Sequence, residues 1–167
     1  MGTPPDVAIW FLLGTTPVLA WAALSDLSRL KIPNRAVLML AGLFLIGGLM
    51  LLPLRSWTIE DWGTRWPQLI VVLLVGMALH GAGLLGAGDA KLAAVIMPFV
   101  APLDLVLFLR LCAVVFLLAW GLHTAARWSL GPRLAPGWVS WSSGPRFPMG
   151  IALGGALISY LLMAAAG

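Results

Sequence analysis

Six apolar runs joined by short polar connections constrain this chain more than any single motif does. They cover about Val7 to Leu24, Arg35 to Leu54, Pro67 to Leu85, Ala90 to Val100, Leu103 to Ala126 and Met149 to Ala165. A helix that crosses a bilayer needs roughly 20 apolar residues, and 167 residues leave space for about six such helices and little else. Composition agrees. The chain is 61% hydrophobic and 10% charged, against about 25% charged residues in soluble domains. Its mean hydropathy is +1.01. The expected fold is an all-α membrane protein, a bundle of about six transmembrane helices forming one domain over residues 1–167.

The net charge is +4, from 10 Lys and Arg against 6 Asp and Glu. The basic residues lie between apolar runs rather than on a soluble face. They therefore set membrane orientation, and no nucleic-acid partner is expected. Arg29, Lys31, Arg35, Lys91, Arg127, Arg133 and Arg146 fall on one side of the alternating runs, and Arg55, Arg65 and Arg110 on the other. The excess places the first side in the cytoplasm and both termini outside. The first run has no basic residue before it, so it reads as an uncleaved helix rather than a secretory signal. Trp57, Trp62 and Trp66, and likewise Trp128, Trp138 and Trp141, mark two connections expected at the membrane interface. The single cysteine, Cys112, excludes an intrachain disulfide and a Cys-x-x-Cys zinc site. A homo-oligomer is compatible with the chain, but its glycines do not argue for one, since small residues are common at any helix contact.

Acidic residues are few, so each needs a reason. Asp6, Glu60 and Asp61 sit in polar segments and read as solvated. Asp104 follows Pro102 at the start of the fifth run, where a carboxylate complements the helix dipole. Pairing of Asp104 with Arg110 at the outer edge is also conceivable from their spacing. Asp26 and Asp89 remain. The alternation of runs puts both at one depth on the cytoplasmic side, and ionisable groups at a membrane edge mark function. Asp26 precedes Ile32-Pro33-Asn34, a turn in which Pro33 keeps Ile32 out of helical geometry and Asn34 is expected to cap the second helix. Asp89 follows Gly81, Gly83, Gly86 and Gly88, which leave backbone accessible. His80 reads as a packing residue near this pair. Ser25 and Ser28 beside it carry no nucleophile motif.

Asp26 with its Ile32-Pro33-Asn34 turn, followed by Gly86-Ala87-Gly88-Asp89-Ala90-Lys91-Leu92, resembles the paired signatures of type IV prepilin peptidases. The G-x-G-D part is shared with presenilin-like intramembrane aspartic proteases. The longer G-x-G-D-x-K-L form is similar to prepilin and preflagellin peptidases. The segment Pro145 to Leu157 is similar to that family's final helix. The resemblance implies Asp26 and Asp89 as catalytic residues, with Gly86, Gly88, Lys91, Pro33 and Asn34 supporting the motif or the substrate path, and no metal or other cofactor. It implies a bacterial inner-membrane endopeptidase that removes a short basic leader, after a Gly, from a prepilin whose mature part begins with a hydrophobic helix. The short first cytoplasmic connection lacks the zinc-binding cysteines of the large bifunctional members. The chain thus looks like the peptidase-only form found with Tad/Flp pili, without a methyltransferase domain. Lys91, or Arg29, Lys31 and Arg35, would be placed to meet an acidic residue of the mature pilin.

Two other readings compete. Membrane carboxylates also serve proton-coupled transporters, but there they lie at the midplane between inverted repeats, and neither feature shows here. A non-catalytic pilus or secretion assembly subunit would not need both aspartates and the intact glycine motif.

Overall fold

In a computed structural model of the chain, residues 1–54, 56–144 and 146–167 are described. Arg55, counted above with the outer charges, and Pro145, the start of the segment likened to a final helix, lie outside the described residues. The elements are helices: α1 (Pro5–Arg29), α2 (Asn34–Gly42), a π turn (Leu43–Gly47) running into α3 (Gly48–Met50), α4 (Ile59–Gly63), α5 (Trp66–Gly81), α6 (Ala87–Ile96), α7 (Leu105–Arg127), α8 (Gly131–Leu134) and α9 (Met149–Ala166). Among the described residues, four stretches are long and apolar enough to cross a bilayer: Pro5–Arg29, Ile59–Gly81, Pro102–Arg127 and Met149–Ala166. The apolar stretch Asn34–Met50 is shorter, and α6 has only 10 residues.

The local sequence accounts for these limits. Pro5 opens α1 at a position where a missing N–H costs nothing. Pro17 removes one ladder bond inside α1, which neighbouring helices tolerate at membrane depth. At the other end α1 stops on Leu30, a left-handed residue (φ 51°) whose N–H donates to Asp26 O at 2.8 Å. The fourth run is short because Pro98 and Pro102 cannot continue α6. It passes into a single 3-10 turn, Met97–Phe99.

Helices α1 and α9 form the centre. Buried residues of α1 (Val7, Val18, Leu19, Ala22) and of α9 (Leu153, Ala156, Leu157, Leu161, Ala164) share one core, with Gly154 of α9 against Leu19. Helix α5 lies close on α6: a Cβ on Gly76 would fall 2.9 Å from Ala90 Cβ and 3.2 Å from its Cα, so a larger residue would separate the two helices. Helix α7 packs mainly on α9 and leaves most of its apolar surface uncovered, including Leu109, Val114, Leu117 and Leu118. Such a face suits lipid and not water.

Aromatic rings fill the end of this core remote from Asp26. Phe11 stands edge-on to Phe99 and Trp57, and Phe44 edge-on to Phe99 and Trp66. The π turn leaves carbonyls out of the regular ladder, and two indoles take carbonyls in this region. Trp57 Nε1 donates to Gly48 O at 2.9 Å and Trp62 Nε1 to Phe44 O at 3.3 Å. Trp57 is therefore a buried core residue, 1% exposed, and not the interfacial anchor its polar neighbourhood suggested.

Arg65 likewise is not a surface charge. It is 1% exposed, with its guanidinium 4.7 Å from the centre of the Trp57 ring. Its Nη1 donates to Thr3 Oγ1 at 3.1 Å and Phe99 O at 3.2 Å, and its Nη2 to Gly2 O at 3.3 Å. From Thr3 the polar chain continues. Tyr160 Oη lies 2.8 Å from Thr3 Oγ1, accepts from Ala101 N at 3.0 Å and donates to Asp104 Oδ2 at 2.8 Å. Tyr160 has one proton, spent on Asp104, so Thr3 is the donor to Tyr160. Gly2 N also donates to Asp104, at 2.8 Å. Asp104 thus starts α7 without capping it, because its carboxylate is turned toward Gly2 and Tyr160; Arg110 is not among its partners. The chain from Arg65 to Asp104 ties α1, α5, α7 and α9 together and sets both termini at one end of the bundle.

Tyr160→Phe cuts this chain at its middle and leaves the Ala101 amide without its partner. The expected cost is about 1–3 kcal/mol. Unfolding by SDS titration in mixed micelles measures it, and an unchanged midpoint would show the network to be dispensable.

Candidate functional site

Two loops meet at the opposite end of the bundle. The first runs from α1 to α2. Ser25 Oγ donates to Lys31 O at 2.8 Å, which holds the turn after left-handed Leu30. Ile32 lies outside the helices, and Pro33, with φ −66° and ψ 131°, occupies the N-cap of α2. Asn34 is consequently the first helical residue and not the cap. Its Oδ1 accepts from Lys91 Nζ at 3.3 Å, across to the second loop. That second loop turns at Gly83, whose φ of 74° suits glycine, and enters α6 with Gly86 at the N-cap and Asp89 in the first turn.

The loops are spaced by side-chain size. A Cβ on Gly88 would stand 3.3 Å from Ile32 Cβ, and one on Gly86 would stand 2.5 Å from Asp89 Oδ2. Glycine at 88 lets the two loops touch, and glycine at 86 leaves the Asp89 carboxyl its place. Between the loops is a polar cavity of about 300 Å³ lined by Asp26, Leu30, Lys31, Ile32, Asn34, Gly86, Ala87, Gly88, Asp89 and Lys91. The structure thus brings together Asp26, Asp89, Gly86, Gly88, Lys91 and Asn34. Pro33 shapes the loop without lining the cavity.

Asp26 is 5% exposed, in the last turn of α1. Its Oδ2 accepts from Gly150 N at 2.7 Å, a contact between residues 124 positions apart. Gly150 lies in the first turn of α9, and a Cβ there would stand 3.1 Å from Asp26 Oδ2 and 3.2 Å from its Cβ. Sequence reading passed over Gly150. The available signal was Pro148-Met149-Gly150, a proline at a helix start followed by a residue without a side chain. Asp89 is half-buried on α6. Burial, and after it the Asp26 carboxylate, push the Asp89 carboxyl up to about 6 from an ordinary 3.8, against a smaller downward pull from the Gly86 amide. The two carboxyls therefore share one electrostatic environment, and ionising one disfavours ionising the other.

Other residues singled out from sequence lie elsewhere. His80 Nδ1 donates to Leu85 O at 2.9 Å and steadies the loop between α5 and α6, outside the cavity lining. Ser28 Oγ is engaged with Ser25 O at 3.3 Å. Asp6 is exposed, as expected, and accepts from the Ser56 hydroxyl. Asp61 closes a capping box with Thr58 at the start of α4. Cys112 is partly buried on α7.

Replacing Asp26 with Asn removes the neighbouring charge but not the burial. Asp89 in Asp26→Asn protein should take up its proton at lower pH than in the wild type, yet still above 3.8. Infrared titration of the protonated carboxyl band, referenced to the same protein with Asp89→Asn, follows it directly. An unshifted band would mean that the two side chains do not interact.

Residues 13–122, which contain Asp26, Asp89 and both loops, match the type IV leader peptidase family. No curated protein matches the chain. No solved structure does either.

Proposed function

Because the chain belongs to the type IV leader peptidase family, we propose that it is a membrane aspartic endopeptidase that removes the leader of Flp-like prepilins at the cytoplasmic membrane face, with Asp26 and Asp89 as its catalytic pair. The observation that carries the proposal is one polar cavity that holds both carboxyls, one from α1 and one from α6, at one end of an apolar bundle. A pair of carboxyls that resists double ionisation holds one proton between them. The ionised member takes a proton from water as the water attacks the scissile carbonyl. The protonated member hydrogen-bonds that carbonyl and then protonates the leaving amine. Neither step forms a covalent intermediate.

The substrate reading follows from the cavity's position. A leader in the cytosol and an apolar helix in the bilayer meet at the membrane edge, and the peptide between them must lie extended to be cut. Lys31 and Lys91 line the cavity. They would face an acidic residue early in the mature pilin, although Lys91 is already engaged with Asn34.

Six passes complete the topology we infer. Beyond the four long stretches, Asn34–Met50 and the run from Ala90 to Val100 each lead from the cavity end toward the aromatic end. A helix of 17 residues rises about 26 Å, close to the roughly 30 Å of a bilayer core. Arg29, Lys31, Arg35, Lys91, Arg127, Arg133 and Arg146 gather at the cavity end. This supports a cytoplasmic site with both termini outside the bacterial inner membrane. A site at one edge also favours peptide hydrolysis over carrier function, which needs access from both faces.

Two experiments test this. In membranes carrying a co-expressed prepilin, Asp26→Asn and Asp89→Asn should each lower cleavage at least about 100-fold while remaining folded. If both variants cut like the wild type, the dyad assignment fails. If the wild type cuts none of several prepilins, the assembly-subunit reading replaces the peptidase. For topology, a membrane-impermeant thiol reagent applied to spheroplasts of a Cys112→Ala background should label Thr64→Cys and spare Ser129→Cys. The reverse pattern would invert the orientation.

A further inference from the structure

Asp26 is poorly placed to carry charge by its own helix. It sits in the last turn of α1, where the carbonyl ends of the peptide dipoles point and a negative charge is disfavoured. It is also almost fully buried. The compensating group comes from the far end of the chain. Gly150 N donates to Asp26 Oδ2 at 2.7 Å. It is one of the first-turn amides of α9, which have no partner within their own helix. The contact leaves no space to spare: a Cβ at position 150 would stand 3.1 Å from the same oxygen. Charged or titratable groups near Asp26 are Asp89 from α6, Lys31 from the first loop and Lys91 from α6. Helix α9 brings no charged side chain. Its contribution to the site is this main-chain donor.

We propose that Gly150 is a positioning residue of the dyad, whose main-chain N–H fixes the Asp26 carboxyl and favours its ionised form, making the last helix part of the catalytic site. This rests on the peptidase reading and extends it to a helix outside the residues that match the family. The contact requires both the amide and the missing side chain. Hydrogen bonding to a carboxylate lowers the pH at which it takes up a proton. It also holds one oxygen toward α9 and leaves the other free for the cavity.

Two substitutions separate the requirements. Gly150→Ala keeps the amide and adds the Cβ. Gly150→Pro removes the amide as well, at a first-turn position where no ladder bond is lost. Infrared titration of the Asp26 band, referenced to Asp26→Asn, should place proton uptake lowest in the wild type, higher in Gly150→Ala and highest in Gly150→Pro. The full span should be about one pH unit or more, as for loss of a charge-assisted hydrogen bond. In a prepilin cleavage assay, kcat should fall in the same order with KM little changed. The limb of the pH–rate profile governed by Asp26 should move up with it. Movement of the acid limb identifies Asp26 as the base, and movement of the alkaline limb identifies it as the acid. If Asp26 titrates alike in all three proteins, Gly150 does not position it and the proposal is wrong. Should the proline variant not fold, the wild type and Gly150→Ala decide alone. The titration needs no substrate. A titration shift with no cleavage by the wild type would refute the peptidase reading and leave the contact established.

Discussion

The pairing of the first helix with the last is the constraint on which the rest depends. Helices α1 and α9 run antiparallel, and each end of the pair is closed by a hydrogen bond that spans most of the chain. At one end Thr3 meets Tyr160; at the other, Asp26 meets Gly150. In an apolar medium, van der Waals packing aligns helices with little preference for register, because lipid competes equally for apolar surface. Two polar contacts at opposite ends supply the register that packing does not. They fix where Asp26 lies along the bundle, and α6, held on α5 by the Gly76–Ala90 contact, then brings Asp89 to the same height.

That arrangement explains why the site needs three separate segments. Helix α1 supplies a buried carboxyl, the first turn of α6 supplies a half-buried one, and α9 supplies the amide that anchors the first. Bond lengths suggest unequal firmness. The Asp26–Gly150 bond is 2.7 Å, whereas the Lys91–Asn34 bond that joins the two loops is 3.3 Å and exposed. Asp26 is thus attached to the rigid centre, and the start of α6, which bears Asp89, is joined to the start of α2 by a weaker tie. An extended peptide entering between the loops would displace the weak tie and leave the strong one.

The sequence made the class of fold, the two aspartates and the loop glycines legible, for physical reasons. Apolar runs report their environment directly. An aspartate beside such runs is expensive enough to be conspicuous, and Pro33 and Gly86 change local geometry wherever they occur. The errors share a different cause. Trp57 and Arg65 sit in a polar stretch that reads as surface, and Asp104 at a helix start that reads as a dipole partner, yet all three take part in tertiary hydrogen bonds. Arg65 is the clearest case. Counting Lys and Arg by side cannot distinguish a solvated charge from one folded over Trp57 and spent on Thr3, Gly2 and Phe99. Asn34 was misplaced by one residue because Pro33 competes for the same cap position. Gly150 was missed since its role resides in a backbone amide, and a main-chain donor has no residue type to betray it.

The two ends of the bundle also differ in how their polar groups are arranged. At the aromatic end the chain from Arg65 through Thr3 and Tyr160 to Asp104 leaves one buried nitrogen, Arg65 Nε, without a partner. Every other group in it is matched, as a structural network requires. At the cavity end a leucine is held in the left-handed region, which costs of order 1 kcal/mol or more. Two carboxyls face a common space there, and the two lysines that line it, Lys31 and Lys91, make no ion pair with them among the described contacts. A fold optimised for stability alone would have matched or removed these groups. Two carboxyls gathered beside a strained turn, at the end opposite the Arg65–Asp104 network, are the kind of local inconsistency that functional sites carry.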